Sequence, residues 1–192
     1  MVPEPESQTP GRPRDPQKDE SAIAAARELL AEAGYQATTI AAIARRAGIG
    51  APTIYRRWRS REALIEDAAF GHARPAPLPA PTGDLRADLH AWVEAFLVQL
   101  SDPVIRAALP GLLLAWQQEE GLYKRFLLRN EVDVRALFAA QLGTEGASEH
   151  AEAAFDFLVD STLLRAVTLG MADAAEFCDR TANALAALLD SS

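Results

Sequence analysis

Apolar residues recur along this chain at intervals of three and four positions, which is the spacing of one face of an α-helix. The clearest stretch runs from 85 to 100, and its apolar face consists of Leu85, Leu89, Trp92, Val93, Phe96, Leu97 and Leu100. Alanine and leucine dominate the composition, and runs of β-branched residues are scarce. The pattern therefore predicts an all-α fold.

Residues that begin and end helices divide this pattern into segments. Gly34 and Gly48 can adopt the left-handed conformation that ends a helix, and Thr39 and Ser60 can cap a helix N-terminus. Pro52 is tolerated only in a first helical turn. These signals predict helices over 17–33, 39–47, 52–58, 60–72, 85–100, 119–142, 149–169 and 173–189, and a further one from 102 that is kinked or broken at 110–111.

Charge is distributed unevenly between the two ends of the chain. Residues 12–61 hold ten lysines or arginines against five acidic residues, a net charge of +5, whereas residues 62–192 hold nine against twenty, a net charge of −11. Between 38 and 61 there are six arginines and no acid. A basic region in an acidic chain indicates a polyanionic partner for that region alone, or else an ordinary solvated face.

Composition divides the chain into three predicted parts. Residues 1–15 are polar and proline-rich and are predicted to be a disordered arm, in which Arg12 and Arg14 either enter a DNA minor groove or are incidental. Residues 16–66 form a basic head. Residues 67–192 form a helical body, which includes a stiff proline-rich linker at 74–84.

Composition also limits the class of function. The single cysteine, Cys178, excludes an intrachain disulfide and fits a reducing cytoplasm. No apolar run approaches the roughly 20 residues of a membrane span, so we expect a cytoplasmic protein with no membrane partner. The three histidines lack metal-ligand spacing, and no phosphate loop, dinucleotide fingerprint or nucleophile motif occurs. We therefore expect no metal, no cofactor and no catalytic residue.

Two short helices joined by a glycine turn, over 39–58, have the pattern of a helix-turn-helix. Ile54 and Trp58 lie one helical turn apart and are predicted to anchor the second helix on the core of the head. Arg61, at the start of the next helix, can reach a phosphate. The side chains of the second helix that suit base edges and phosphates in a major groove are Thr53, Tyr55, Arg56 and Arg57.

The stretch "TTIAAIARRAGIGAPTIYRRWRSREAL" (38–64) resembles the DNA-binding head of the tetracycline-repressor (TetR) family of bacterial regulators. This resemblance, which covers roughly residues 20–68, implies a homodimeric repressor that binds a palindromic double-stranded DNA operator. Ala51, where many members carry lysine or glutamine, puts the operator sequence in doubt. The resemblance and the arginine run assign the following residues to DNA: Thr39, Arg45, Arg46, Pro52, Thr53, Tyr55, Arg56, Arg57, Arg59 and Arg61.

The resemblance also implies that a small-molecule effector binds between the helices of the body and releases the DNA. Aromatic walls with a few polar groups suit a small, largely apolar ligand. The alternative is that most of these aromatic residues are simply core. The candidates for this pocket are Trp92, Phe96, Trp116, Tyr123 and Phe126.

The helix predicted over 149–169 is apolar on two nearly opposite faces, so it needs two partners, of which the second can be its copy in another subunit. The family resemblance places the dimer interface on the last two helices. The residues assigned to that interface are Phe157, Leu164, Leu185 and Leu189.

Two other functions remain open at this point. A helical protein whose basic head binds another protein would have the same charge distribution. An all-helical enzyme is less favoured, because no nucleophile, base or metal cluster can be identified. We accordingly favour a DNA-binding, ligand-responsive regulator without catalytic activity.

Overall fold

A computed structural model describes residues 15–71, 79–80, 82–119, 121–127 and 147–190 of the chain. Every regular element within these ranges is helical, which confirms the predicted all-α class. The helices are α1 (Pro16–Ala37), α2 (Ile40–Ala47), α3 (Ala51–Tyr55), α4 (Arg61–Glu66), α5 (Leu85–Leu100), α6 (Pro103–Gln118), α7 (121–127), α8 (Ala147–Thr168) and α9 (Ala174–Asp190).

The predicted helix caps of the head are present. The Thr39 hydroxyl accepts a hydrogen bond from the backbone N–H of Ala42 at 3.1 Å, and the Ser60 hydroxyl accepts one from Ala63 at 3.1 Å. Each bond satisfies one of the N–H groups that a helix start leaves without a partner. Gly48 ends α2 with a φ of 66°, as its sequence position predicted.

Some helix boundaries differ from the prediction. Gly34 does leave the helical conformation (φ 75°), but the chain resumes a last helical turn to Ala37. Helix α3 ends at Tyr55 rather than at Trp58, and α4 passes at Asp67 into a π-helical turn that runs to Gly71.

The helix predicted to be kinked or broken at 110–111 is not broken, because α6 runs without interruption through Pro110 and Gly111. A proline inside a helix removes one backbone hydrogen bond, and here the packing of the helix outweighs that loss. Gly111 has a separate role, since it lies directly against the ring of Tyr35 from α1.

The head has an apolar core beneath α3. Ile54 is fully buried beside Ile43, and Trp58 is buried and donates its indole N–H to the Asp67 carboxylate at 2.6 Å. These contacts confirm the predicted anchoring of the second helix of the motif. Helix α1 packs on α2 within the head and on α6 of the body, so it connects the two parts.

The body is a layered helix bundle in which α5 packs on α8 and α9, and α8 packs on α9. One face of α8, including Phe155, Leu158 and Ala166, is buried within the chain. No single helix of the described ranges is long and apolar enough to cross a membrane, although α5 and α6, bent by 84° at their junction, satisfy length and composition together. The arm 1–14, His72, most of the linker and most of the helix predicted over 119–142 lie outside the described residues.

Candidate nucleic-acid interface

The side chains predicted to contact DNA fall into two groups, and the first group faces solvent. Thr39, although it caps α2, is exposed, and so are Pro52 and Tyr55, whose side chain is 57% accessible. Thr53 is half-buried. These residues come from the start of α2 and from α3, so the turn between the two helices brings them together.

Three arginines belong to this outward group. Arg45 lies at the end of α2, and Arg56 and Arg59 lie in the turn between α3 and α4. All three are exposed, and within the part of the chain that the structure describes none of them has a hydrogen bond or an ion pair. Their guanidinium groups are therefore available to an external anion.

Arg57 belongs to the second group, because its guanidinium is engaged inside the head. It pairs with the Asp19 carboxylate near the start of α1 and donates a hydrogen bond to the carbonyl of Asp15 at 3.1 Å. Its side chain is only 13% exposed. The pair fastens the beginning of α1 to the segment that follows α3.

Arg61 is engaged in the same way at the other end of α1. Its Nε donates to the carbonyl of Thr38 at 2.7 Å, and its Nη2 donates to the carbonyl of Tyr35. The guanidinium also lies over the Tyr35 ring, 4.3 Å from the centroid. Arg61 thus supplies a donor to the carbonyl of Thr38, which follows α1, and a second donor to the Tyr35 carbonyl, which also accepts from the Thr38 N–H at 3.2 Å. Its positive charge is favourable beside the negative end of the α1 dipole.

The surroundings of Tyr35 change its acidity. Burial is the main cause of a raised pKa for its phenol, and the Glu62 carboxylate adds to the shift, while Arg61 opposes it. The Tyr35 hydroxyl donates to Glu62 at 3.4 Å. The phenol is therefore neutral at ordinary pH and remains a hydrogen-bond donor.

Arg46 is intermediate between these groups. It is exposed, and it makes ion pairs with two carboxylates on α1, Glu32 at 2.7 Å and Glu28 at 3.6 Å. Exposed ion pairs of this kind contribute on the order of 0–1 kcal/mol, so they do not fix the side chain strongly.

In the body, three of the five candidate pocket residues form one aromatic cluster. The centroid of the Trp116 ring lies 4.7 Å from that of Phe126 and 5.4 Å from that of Tyr123. Phe70, in the turn after α4, meets Phe126 edge-on at 4.9 Å. The indole of Trp116 also donates to the buried carboxylate of Glu66 at 3.4 Å.

A small apolar cavity of about 20 Å³ adjoins this cluster, and Phe96 and Phe126 form part of its wall together with Phe70 and Thr162. A space of that size holds about one water molecule. Trp92 is elsewhere: it is buried under the linker, and its indole donates to the carbonyl of Pro79 at 3.2 Å.

The four residues assigned to the dimer interface fall into an exposed pair and a buried pair. Phe157 and Leu164 are exposed on the second face of α8, with Leu164 65% accessible. Leu185 and Leu189 are instead buried within the chain, because their face of α9 packs inside the bundle. Their assignment to the interface is therefore wrong. Leu169 and Met171, which follow α8, are exposed apolar residues that the sequence pattern did not assign.

Sequence reasoning missed several residues that shape the site. Asp19 and Tyr35 contact the two engaged arginines, yet Asp19 was an ordinary polar position of the first predicted helix and Tyr35 lay beyond the predicted end of that helix at 33. Glu66 and Phe70 reach the aromatic cluster. A carboxylate inside the apolar run "ALIEDAAF" was a usable signal, since buried charged residues are rare unless they are paired.

Comparisons with known proteins agree with this geometry. A family model described as "Bacterial regulatory proteins, tetR family" matches residues 22–68, and one described as "Tetracyclin repressor-like, C-terminal domain" matches residues 79–185. The uncharacterized HTH-type transcriptional regulator YdeS of Bacillus subtilis is 35% identical over 123 residues, which cover 62% of this chain and 60% of YdeS. A similar regulator of Mycobacterium tuberculosis is 36% identical over 87 residues, 43% of each chain. The chain thus spans less than two thirds of the length of these relatives.

Solved structures share the fold along most of the chain. A TetR variant from Acinetobacter baumannii in complex with minocycline is 22% identical, with a TM-score of 0.61, and the match covers 90% of this chain and 98% of that one. A TetR-family regulator from Mesorhizobium loti is 18% identical, with a TM-score of 0.60, over 92% and 98% of the two chains.

Proposed function

The chain belongs to the tetR family of bacterial regulatory proteins, and from that premise we propose that it is a repressor that binds a palindromic operator as a homodimer and is released by a small effector. It is a transcriptional regulator with a helix-turn-helix DNA-binding head. The curated relatives are likewise regulators rather than enzymes. Repression, dimerisation, the effector and a cytoplasmic location are the proposed parts.

The observation that carries the DNA-binding proposal is the division among the arginines. Arg45, Arg56 and Arg59 are exposed without an internal partner in the described structure, so they can neutralise phosphates at little internal cost. Arg57 and Arg61 act differently in this proposal, because their bonds to α1 hold the segment after α3 in place. Thr39, Thr53 and Tyr55 complete the contact surface.

The test is operator selection from a random DNA library, followed by titration at several salt concentrations. Three outward arginines in each of two heads give four phosphate contacts if Arg56 contacts a base and six if it contacts a phosphate, and a slope of log affinity against log salt of about −4 or about −5 respectively. A palindromic consensus with a slope of that size supports the proposal. Binding that does not change with salt would contradict it.

The effector proposal rests on the aromatic cluster in the body. Its cavity of about 20 Å³ is too small for an organic ligand, so an effector must displace the rings of Phe126 and its neighbours to enter. The related A. baumannii protein, whose fold is similar, binds minocycline. A ligand that moves these rings favours one arrangement of the helices over another and thereby changes operator affinity.

Thermodynamic linkage provides the test of induction. If a ligand lowers operator affinity, bound operator must lower ligand affinity by the same factor. Ligand titrations monitored by tryptophan fluorescence measure the ligand affinity of the free protein and of the protein bound to operator. Trp116→Ala should weaken the response while leaving the operator affinity of the unliganded protein nearly unchanged. Equal ligand affinity in the two states would reject induction.

A further inference from the structure

An open crevice of about 610 Å³ lies where the head meets the body. One wall comes from the end of α1 and the start of α4, with Tyr35, Gln36 and Glu62, and the other comes from α6, with Leu114 and Gln118. Its volume falls within the range of about 300–1,000 Å³ that is typical of small-molecule sites. The aromatic cluster of the body does not contribute to it, so this junction crevice is a separate feature.

The walls of the junction crevice are held in place before any ligand arrives. A Cβ atom at Gly111 would overlap the ring of Tyr35, so the absence of a side chain there lets α6 approach α1 closely. The guanidinium of Arg61 stacks on the same ring from the head side, 4.3 Å from its centroid, and its bond to the Thr38 carbonyl fixes the guanidinium in that position. A preformed site loses less entropy on binding than one that must be ordered.

The chemistry of the crevice combines an apolar surface with a carboxylate. Leu114 is 57% exposed, and Pro110 lies beside it in the same wall. Opposite them, Glu62 uses one oxygen, Oε1, to accept from the Tyr35 hydroxyl, and the same oxygen lies 3.6 Å from the Arg61 guanidinium. Among the described residues nothing donates to the second oxygen, Oε2.

We propose that the junction crevice binds a small amphipathic amine, with its apolar part against Leu114 and its ammonium group donating to Oε2 of Glu62. A charge-assisted hydrogen bond to a carboxylate is roughly twice as strong as a neutral one, and the carboxamides of Gln36 and Gln118 can take further polar groups. The ligand touches both walls, so it stabilises the arrangement of head on body in which the crevice has this width.

Disulfide capture tests this proposal without knowledge of the natural ligand. The only cysteine, Cys178, is buried, and burial raises the pKa of its thiol, so it reacts slowly. Leu114→Cys introduces an accessible thiol into the crevice. The probes are two disulfides with the same phenyl group, one with a primary amine and the other with that amine acetylated. Intact mass measures how much reductant each adduct withstands.

The amine probe should withstand about tenfold more reductant than the acetylated probe at position 114, the ratio expected of one charge-assisted hydrogen bond. Glu62→Gln in the same background should abolish the difference. Val98→Cys, at a site on α5 that is 53% exposed, controls for general attraction of amines to an acidic protein and should show no preference. Gln118→Cys, one helical turn along α6, repeats the test if the first variant folds poorly by circular dichroism.

Equal retention of the two probes at both crevice positions would overturn the proposal, and so would an amine preference that survives Glu62→Gln. None of these disulfide-capture measurements uses DNA. Failure of the crevice proposal is therefore distinguishable from failure of the proposed repressor function.

Discussion

The head and the body of this protein differ in the length of their helices and in the contacts that stabilise the shorter ones. The head consists of helices of eight, five and six residues after α1, whereas α5, α6, α8 and α9 have 16, 16, 22 and 17 residues. Helices shorter than about 12 residues are marginal on their own. Side-chain caps and buried apolar faces occur in both parts, and the short helices of the head have in addition the bonds of Arg57 and Arg61 to α1 and to the residue after it.

This difference changes the interpretation of the arginine run. Six arginines without an acid between 38 and 61 suggest a surface devoted to DNA. Arg57 and Arg61 are instead structural, and Arg46 is shared with two carboxylates of α1. The small basic head thus uses part of its positive charge to fix its own geometry. The following predictions distinguish arginines that contact DNA from arginines that stabilise the head, and they compare substitutions in the head with substitutions in the body.

The largest expected effect comes from the body. Leu164→Glu should abolish dimerisation, because the proposed interface would bury an unpaired charge. Operator affinity should then fall by roughly 100-fold or more, since a monomer reads one half-site only. Light scattering and operator titration measure the two effects. Val98→Glu, at a position of α5 that is 53% exposed against 65% for Leu164, should leave both unchanged. A Leu164→Glu protein that remains dimeric would show that another face forms the interface.

The next effect concerns the stability of the head. Arg57→Met keeps the apolar stem but leaves the Asp19 carboxylate without its cation, so it should lower the free energy of unfolding by about 1–3 kcal/mol. Arg56→Met is the matched control, because Arg56 is exposed without an internal partner in the described structure, and it should change stability by less than about 0.5 kcal/mol. Urea unfolding followed by circular dichroism measures both. Equal losses would remove the distinction between the neighbouring arginines.

A smaller effect separates Arg56 from Arg59 on DNA. Arg56→Ala should weaken operator binding by roughly tenfold and relax base preference at one position of each half-site, if its contact is a bidentate one to a base. The salt slope should change little, because a base contact releases no phosphate counterion. Arg59→Ala should do the reverse, with a shallower slope and an unchanged base preference. Titration of the selected operator and of single-base variants distinguishes the two results.

The sequence predicts the fold well because periodicity, caps and glycine signals are local. Thr39, Ser60 and Gly48 act as their positions indicate. The exceptions arise from tertiary contacts. Helix α6 passes through Pro110 because its neighbours support it, and Leu185 is buried because the face of α9 that packs inward is set by α5 and α8.

The candidate site is less predictable for the same reason. Residue type gives the list of arginines, but the partners of Arg57 and Arg61 are 38 and 26 positions away along the chain, at Asp19 and Tyr35. Only the packing of α1 against the segment after α3 brings them together. Spacing within one helix cannot reveal that contact.

The smallest expected effect is a pH dependence that Asp88 gives to the body and that the Thr39 helix cap of the head lacks. Asp88, near the start of α5, accepts hydrogen bonds from the hydroxyl and the backbone N–H of Thr82 and from Gly83, and these bonds lower its pKa below the ordinary value of 3.8. The folded protein therefore binds fewer protons at this residue than the unfolded chain. Its stabilisation is complete above pH 3.8 and is lost as the pH falls through the lower folded value.

Asp88→Asn should accordingly cost stability at neutral pH, and the difference from the unsubstituted protein should shrink below pH 3.8. Thr39→Ala in the head is the matched comparison, because the hydroxyl of Thr39 and the backbone N–H of Ala42 that it caps do not titrate in this range, so its cost should stay constant. Urea unfolding of the three proteins between pH 3 and 7 measures both differences. A cost of Asp88→Asn that is independent of pH would contradict this prediction, because it would mean that the carboxylate charge of Asp88 contributes nothing to the free energy of unfolding.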